Sequence, residues 1–409
     1  MEDLKCKSCG YEEIIRFLEL GDIPPVNAFI SPENIINEKA YPLNLAYCPN
    51  CFLVQLEKIV SPEELFRNYL HLSAGSQSNI AHLKEVADYL SNKFEVNKNT
   101  KVLEIGSNDG TLLSFFKKYT DNLLGVDPAR NLIEINKQKN IEYLAEFFNT
   151  STASKILNNN GKFDFIVALN VIPHTPDNID LLKAVRIVMK DSGILVMEGV
   201  YALETILNGQ FDTIYHEHVY TFSFYSLIKT FLMAGLTIVD VEKIPTQGGS
   251  LRVFAMKSEY AKEVSESVKK LLEEEEKAGL TNDETYNAVK LKVSEYKKNL
   301  RKIINEEKRK GKLIGLGAPA RGMVILNHCK INNEDIDYLI DDTPLKQGKF
   351  APGVHIPVKS WEELKSYKNQ TFLLLSWNYK EHLISKLQNY IPSFRIIIPF
   401  PNLEVKEYG

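Results

Sequence analysis

The stretch from Gln210 to Tyr220, QFDTIYHEHVY, is the most unusual in the sequence. It places a phenol, two imidazoles and a carboxyl group at four consecutive positions: Tyr215, His216, Glu217 and His218. The histidine spacing differs from the His-x-x-x-His of helical zinc sites, so proton transfer is predicted in preference to metal binding. In an extended segment, His216 and His218 would share one face and Glu217 would point away. A polar surface loop is the alternative.

A glycine-rich turn follows a predicted buried strand, Val102 to Ile105, and precedes a predicted helix. Its residues are Gly106, Ser107, Asn108, Asp109 and Gly110. The glycines let backbone approach a ligand, and the helix N-terminus offers free N–H groups to a carboxylate. A second strand ends in Asp127 and Pro128, where the acid can hold two ribose hydroxyls. NAD-binding folds follow the same logic, so the turn and the acid alone are ambiguous.

Two details favour a different cofactor. Glu104 lies two residues before the first glycine, and the turn has the form Gly-x-x-x-Gly. Both resemble the first motif of class I methyltransferases, and Phe163 to Asn170 resembles their fourth strand. The resemblance implies that S-adenosylmethionine binds at Glu104, Gly106 to Gly110, Asp127, Pro128 and Asn170. The alternative is that the glycines only shape a packed turn.

Four of the five cysteines form two Cys-x-x-Cys pairs, Cys6 with Cys9 and Cys48 with Cys51. Each loop lets two thiolates face one metal ion, and two loops close a four-sulfur shell, which is the arrangement of a structural zinc site. We therefore predict bound Zn²⁺. Unpaired thiols in a small core are the alternative, and a redox pair is favoured less.

The elements that must position these residues change character along the chain. Ser61-Pro62-Glu63-Glu64 predicts a helix start, and strand-like and helix-like stretches alternate from Lys101 to about residue 258. Further buried strands are predicted at Leu123–Val126, Phe165–Leu169, Ile194–Met197, Leu236–Val241 and Leu251–Met256. Residues 260–310 predict one or two long helices. Alternation then restarts at Lys312–Gly317, Asp337–Asp341, Thr371–Leu375 and Arg395–Ile398.

This pattern predicts an α/β protein with a mainly parallel, doubly wound sheet and a second, Rossmann-like α/β unit. We assign residues 1–60 to a zinc-binding domain and 61–258 to a methyltransferase domain with a helical lead-in. Residues 259–310 are predicted to form a helical connector, and 311–409 a C-terminal Rossmann-like domain.

Net charge and hydropathy argue against nucleic-acid-binding, membrane-spanning and secreted proteins. The net charge of -4 gives no field for nucleic-acid binding. No apolar run approaches the ~20 residues that cross a bilayer, and the first residues are too polar for a signal peptide. We therefore expect a cytoplasmic protein without nucleic-acid or membrane partners.

The motifs together resemble the sugar C-methyltransferases of antibiotic and surface-polysaccharide pathways, especially the C-3′-methyltransferases of nucleotide-linked 4-keto-deoxysugars. The matches cover nearly the whole chain in order: the cysteine pairs, Glu104–Gly110, Asn170–Asp177, Phe211–His218, Gly315–Gly322, Asp341–Gly348 and Pro352–Pro357. The resemblance implies a nucleotide-diphosphate sugar between the middle and C-terminal domains. It also implies that Tyr215, Glu217, His218 and His174 surround the reacting carbon.

The chemistry explains these residue types. A neighbouring ketone makes a carbon-bound proton removable as an enolate, which requires a base and an oxyanion partner. We predict His218 as the base and Tyr215 or His174 as donor to the enolate oxygen, with Glu217 holding the tautomer of His218 or the sugar. From the residues alone, His174 is equally explained as a buried histidine satisfied by backbone.

The substrate-binding predictions concern two segments. The family usually has two aromatic residues before a serine-rich turn near the sugar. Tyr69 matches the first and is predicted among the catalytic residues, whereas His71 replaces the second and is predicted to bind the substrate. In the C-terminal turn, Gly315, Gly317 and Ala318 are predicted to shape the nucleotide site, with Arg321 available for diphosphate. A purely structural second sheet is the alternative.

Other activities remain open at this point. An O- or N-methyltransferase of a sugar or small metabolite needs a base but no enolate partner. A binding module without turnover would leave the cluster from Tyr215 to His218 unexplained. A dehydrogenase is disfavoured because Gly315-Leu-Gly317 lacks the dinucleotide spacing, although Asp341 lies at about the right distance.

Overall fold

Three sheets and the helices around them build the protein, whose computed structural model describes residues 5–67, 69, 72–367 and 369–409. The strands are β1 Ile15–Ile23, β2 Tyr41–Tyr47, β3 Val54–Leu56, β4 Val102–Ile105, β5 Leu123–Val126, β6 Glu142–Leu144, β7 Phe163–Leu169, β8 Met189–Val200, β9 Tyr220–Thr221, β10 Leu236–Ile244, β11 Ser250–Lys257, β12 Leu313–Leu316, β13 Ile336–Ile340, β14 Val358–Lys359, β15 Asn369–Leu374, β16 Ser393–Ile398 and β17 Glu404–Tyr408. The helices are α1 Pro62–Phe66, α2 Gln77–Lys93, α3 Thr111–Phe116, α4 Ile133–Gln138, α5 Thr150–Asn160, α6 Asn178–Val188, α7 Ala202–Asn208, α8 Phe224–Met233, α9 Glu266–Lys277, α10 Asp283–Glu307, α11 Ala320–His328 and α12 Lys380–Gln388.

The largest sheet has the strand order β10-β11-β8-β7-β4-β5-β6. Its strands are parallel except β11, which runs antiparallel to both of its neighbours. Every residue of β4 and β5 is buried, as expected for central strands covered by helices on both faces. This arrangement confirms the predicted doubly wound, class I methyltransferase type of sheet.

A small antiparallel sheet carries the cysteine loops and has the order β1-β2-β3-β9. Its last strand comes from far along the chain, because Val54 pairs with Thr221 and Gln55 with Tyr220. The apolar side chains of β1 and β2 share one core with the C-terminal domain. The N-terminal segment therefore packs against both larger units, which explains how so short a segment buries its apolar side chains.

The C-terminal sheet has the order β14-β13-β12-β15-β16-β17 and is parallel except for β17. Two helices, α9 and α10, precede it and lie within residues 259–310, the range of the predicted helical connector. Before the largest sheet, helix α2 begins where the Ser76 side chain accepts a hydrogen bond from the Asn79 backbone N–H. In the part of the chain that the structure describes, no helix combines the length and apolar character needed to cross a membrane.

Candidate active site

The predicted cofactor turn follows β4 and requires both of its glycines. Gly106 and Gly110 each have φ of 71°, in the left-handed region that favours glycine. A Cβ on Gly106 would lie 2.3 Å from Val171 Cγ2, and one on Gly110 would lie 2.4 Å from Asn136 Oδ1. Conformation and space therefore both exclude larger residues at these two positions.

Two carboxylates, Asp109 in the turn and Asp127 after β5, accept hydrogen bonds from backbone N–H groups. Asp127 Oδ2 accepts from the Asn108 N–H at 2.9 Å, and Oδ1 accepts from the Ala129 N–H at 2.9 Å. The Asp109 carboxylate accepts from the Thr111 N–H at 3.2 Å and from its hydroxyl at 2.6 Å. Each carboxylate oxygen has two acceptor positions, so Asp127 still has capacity for a ribose hydroxyl. Burial raises the pKa of Asp127.

Two buried polar atoms at this turn fit a polar ligand. Glu104 Oε2 and Ser107 Oγ are buried and have no hydrogen-bond partner among the described residues. Buried polar atoms are normally paired, so these two favour a bound polar molecule such as the predicted cofactor. Burial also raises the pKa of Glu104 well above its usual range.

The remaining two predicted cofactor residues, Asn170 and Pro128, form hydrogen bonds through their backbone atoms. Asn170 follows β7 with φ of 57°, and its N–H donates to the Glu198 carbonyl at 2.8 Å. The Pro128 carbonyl accepts from Arg67 Nη1 at 3.4 Å. Both positions therefore end strands or turns at the cofactor edge of the sheet.

The histidine-rich segment is a turn, so the expected extended conformation is wrong. The His218 N–H donates to the Tyr215 carbonyl at 2.8 Å. His216 faces away, and its Nε2 lies 3.2 Å from the Tyr41 carbonyl oxygen. The Tyr215 and His218 rings are 3.9 Å apart between centroids, and the His174 and His218 rings are 4.8 Å apart. The turn thus brings together three predicted catalytic rings and separates His216 from them.

The tautomer of His218 follows from a single contact. Its Nδ1 lies 2.6 Å from the Thr213 carbonyl oxygen. A carbonyl only accepts, so Nδ1 carries the proton and Nε2 presents a lone pair. Burial lowers the pKa of His218 well below its usual value, and nearby His174 lowers it further. Thr213, and not Glu217, therefore holds the tautomer.

Glu217 is held by residues from two other parts of the chain. Asn27 Nδ2 donates to Oε1 at 2.6 Å, and the Tyr69 hydroxyl donates to Oε2 at 3.1 Å. Burial raises the pKa of Glu217 to about 7, against these two hydrogen bonds, which lower it. Asn27 has no motif around it that the sequence could have revealed.

Burial also shifts the pKa values of two other predicted residues, His174 and Tyr215. Burial lowers the pKa of His174 to about 4 and raises the pKa of Tyr215 above its usual value.

The segment after Tyr69 is fastened to the cofactor turn, because the Ser73 N–H donates to Asn108 Oδ1 at 2.9 Å. The prediction for His71 falls outside the described residues.

The C-terminal turn repeats the design of the cofactor turn. Gly317 has φ of 88°, and a Cβ there would lie 2.1 Å from Ser376 Oγ. A Cβ on Gly315 would lie 2.3 Å from Leu339 Cδ2. The Ala318 N–H donates to Asp341 Oδ2 at 2.8 Å, so Asp341 fastens this turn as Asp127 fastens the first.

Arg321 lies between the domains. Its side chain is buried, with 8% exposure. Its Nη2 donates to the Gln247 carbonyl of the middle domain, and its guanidinium carbon lies 5.3 Å from the centroid of the Trp377 ring. Nη1 is buried and has no hydrogen-bond partner among the described residues. Arg321 Nη1 is therefore a buried donor that could pair with an anionic or polar acceptor.

The cysteine cluster has the dimensions of a metal site. The Sγ atoms of Cys6, Cys9, Cys48 and Cys51 all lie within 4.8 Å of one another. Two Sγ pairs, from Cys6 to Cys51 and from Cys9 to Cys48, are 3.6 Å apart. A tetrahedral ion with Zn–S bonds of about 2.3 Å places its sulfurs about 3.8 Å apart. The residues therefore fit Zn²⁺ in a closed, structural shell.

Comparisons with known proteins agree with this architecture. Family models match as follows: a zinc binding domain at residues 6–66, a methyltransferase domain at 76–241 and a C-methyltransferase C-terminal domain at 245–401. C-methyltransferase NovU of Streptomyces niveus is 30% identical over 404 residues, which are 98% of this chain and 96% of that protein. A ubiquinone biosynthesis O-methyltransferase of Bartonella tribocorum is 30% identical over 101 residues, 24% of this chain and 40% of that protein.

A similar solved structure is magnesium protoporphyrin IX methyltransferase (ChlM) from Synechocystis PCC 6803 with bound SAH. It has a TM-score of 0.35 and 14% identity, and the match covers 44% of this chain and 83% of that one. The family models and the full-length relative carry the assignment. The chain belongs to the C-methyltransferase family, as an S-adenosylmethionine-dependent enzyme with a zinc-binding N-terminal domain.

Proposed function

We propose that this C-methyltransferase acts on a nucleotide-linked 4-keto-deoxysugar, at the C-3 carbon beside the ketone, through an enolate. One observation carries the proposal. His218 is buried, and its Nδ1–H is held by the Thr213 carbonyl at 2.6 Å, so Nε2 is available as a proton acceptor. The Tyr215 and His174 rings stand beside it, as an enolate-forming site requires.

Each residue has a distinct task in this proposal. His218 Nε2 accepts the proton from the carbon next to the ketone. The Tyr215 hydroxyl donates to the developing enolate oxygen, and the raised pKa of Tyr215 keeps that donor protonated. His174, whose pKa burial lowers to about 4, is a neutral second donor. S-adenosylmethionine, when bound, supplies the methyl group that the carbon captures.

Glu217 and Tyr69 would bind the sugar. Their hydrogen bond joins the lead-in segment to the catalytic turn, so both groups line one side of the same site. Oε1 and Oε2 of Glu217 each have one donor and retain acceptor capacity for sugar hydroxyls.

The C-terminal domain would bind the nucleotide part. Gly315, Gly317 and Ala318 shape a strand-to-helix turn, and Arg321 Nη1 is a buried donor without a partner in the described residues. A guanidinium pairs with phosphate more effectively than an ammonium does. This arrangement supports a diphosphate between the two α/β units.

The competing functions predict different products. An O- or N-methyltransferase needs no donor for an enolate oxygen, and the family relationship to a C-methyltransferase favours carbon. A binding module without turnover gives no reason for two buried histidines and a buried tyrosine to lie together.

Solvent-deuterium incorporation tests the proposal. The enzyme is incubated in D₂O with a panel of nucleotide-linked 4-keto-deoxysugars, and mass spectrometry and NMR locate the label and the methyl group. We expect exchange at C-3 by the wild type and a 10²–10⁴-fold loss of exchange and turnover in His218→Gln, with S-adenosylmethionine binding retained.

His216→Gln is the matched control, because His216 lies in the same turn and faces Tyr41. It should retain both exchange and turnover. Exchange that survives in His218→Gln would assign the base to another residue, and a methyl group on oxygen or nitrogen would refute the enolate.

A further inference from the structure

A buried hydrogen bond joins the C-terminal domain to the catalytic segment. Trp377 Nε1 donates to Asp212 Oδ2 at 2.7 Å, across 165 positions in the sequence. Both side chains are buried, with exposures of 9% for Trp377 and 0% for Asp212. A buried carboxylate is costly unless it is paired, so this contact is strongly favoured in the folded state.

Asp212 lies in the middle of a single 3-10 turn, Phe211–Thr213. The next residue, Thr213, is the one whose carbonyl holds Nδ1 of His218. Trp377 and His218 are therefore connected through two adjacent residues of a short, hydrogen-bonded turn. A shift of Asp212 must move the carbonyl that orients the imidazole.

The same turn is also packed from the C-terminal side. The Phe211 ring lies 5.1 Å from the His328 ring, 5.3 Å from the Tyr296 ring and 5.9 Å from the Phe400 ring, between centroids. These contacts fix the beginning of the turn, and the Trp377 bond fixes its centre. Together they hold the two residues that directly precede Thr213, whose carbonyl contacts His218.

The charge of Asp212 is supported by the same domain. Burial raises the pKa of Asp212, and the positive charge of Arg321 opposes that effect. Arg321 also stacks on the Trp377 ring and contacts Gln247 in the middle domain. The C-terminal domain, which would bind the nucleotide, therefore provides both the hydrogen bond and the positive charge that act on the Asp212 carboxylate.

We propose that Trp377 is a positioning residue, which sets the orientation of His218 through Asp212 and the Thr213 carbonyl. The proposal rests on the proposed function in treating His218 as the base. Its consequence is that the C-terminal domain contributes to turnover as well as to substrate binding. Displacement of a reacting group by about 1 Å can cost about 10²-fold in rate, so a small change in the turn is sufficient.

The two tryptophans of the chain provide a matched pair of variants. Trp361 is also buried in the C-terminal domain, but its Nε1 has no hydrogen-bond partner in the described part of the chain. Trp377→Phe and Trp361→Phe both replace a buried indole by a smaller ring, so they should lower the melting temperature alike. Only Trp377→Phe removes the bond to Asp212.

We expect Trp377→Phe to lower kcat by about 10- to 100-fold, with KM for S-adenosylmethionine within about twofold of wild type. Trp361→Phe should retain wild-type kcat. Asp212→Asn should keep most of the activity because its amide oxygen still accepts from the indole, whereas Asp212→Leu should lose as much as Trp377→Phe. Wild-type kcat in Trp377→Phe, or an equal loss in Trp361→Phe, refutes the proposal.

NMR of protein with ¹⁵N-labelled histidine separates this proposal from the assignment of the base. We expect the Nδ1–H signal of His218, identified by its loss in His218→Gln, to persist in Trp361→Phe and to weaken or shift in Trp377→Phe. An unchanged signal in Trp377→Phe overturns the positioning role, whichever residue is the base. A changed signal with full deuterium exchange in His218→Gln refutes only the proposed base. Should Trp377→Phe fail to fold, the Asp212→Asn and Asp212→Leu pair gives the same comparison.

Discussion

Replacement of Glu217 by glutamine should make the protein more stable at alkaline pH. Burial raises the pKa of Glu217 from 4.5 to about 7. The folded state therefore binds a proton that the unfolded state has already released between these two values. Stability contributed by this group falls as the pH rises from the unfolded to the folded pKa, and above about 7 the full cost is present.

The size of the effect follows from the shift. A difference of about 2.5 pKa units corresponds to about 3 kcal/mol of unfolding free energy at high pH. Between about pH 5.5 and about pH 8.5 the wild type should lose about 2 kcal/mol through this group. Glutamine has no charge to bury and can still accept from Asn27, so Glu217→Gln should not show that loss.

Urea unfolding of wild type and variant at the two pH values measures the prediction. The stability difference between the two proteins, variant minus wild type, should rise by about 2 kcal/mol from the lower to the higher pH. Other titrating groups cancel in this double difference. Glu273→Gln, at a carboxylate with 66% exposure, is the control for adding an amide. A difference that stays constant with pH for Glu217→Gln would show that Glu217 is not destabilised by burial.

Two further predictions concern the metal and the nucleotide. Cys48→Ser should release most of the zinc found in protein purified without added metal, because a closed four-sulfur shell tolerates no missing ligand; unchanged zinc content by metal analysis would contradict this. Since β3 pairs with β9 just after His218, hydrogen exchange at Thr221 should also become faster. Arg321→Ala should raise KM for the nucleotide sugar by about tenfold or more and lower kcat much less. An unchanged KM in steady-state kinetics would remove Arg321 from diphosphate binding.

The fold could be predicted from the sequence where local pattern and tertiary structure agree. Leu123–Val126 was predicted from its apolar run and is β5 with the same bounds. Covered parallel strands are continuously apolar and are bounded by turns, so a short window contains the whole signal. The short strands β9 and β14 lack that signal because they pair for only two residues each.

The site could be predicted only where its residues lie in recognisable motifs. Tyr215, His218 and His174 were found from residue types and from family resemblance, and the structure brings them together. Asn27 and Trp377 were not found, because each reaches the site through a long-range contact and belongs to no motif that was recognised in the sequence. The turn at His216 was predicted as extended because the contact with the Tyr41 carbonyl, which faces His216 away from the other rings, is tertiary.

The acid that follows each glycine turn shows why spacing alone left the cofactor ambiguous. In both α/β units a carboxylate accepts a backbone N–H from its own turn: Asp127 from Asn108 and Asp341 from Ala318. Any doubly wound sheet gains from this bond, since it fixes the turn against the neighbouring strand. In this chain the acid at this distance therefore has a structural contact in both turns, whether or not it also binds a ribose. What distinguishes the two turns is the buried polar surface they leave unpaired, and only the first has Glu104 Oε2 and Ser107 Oγ. Beside the second turn the buried unpaired atom is instead a donor, Arg321 Nη1, which has no hydrogen-bond partner among the described residues.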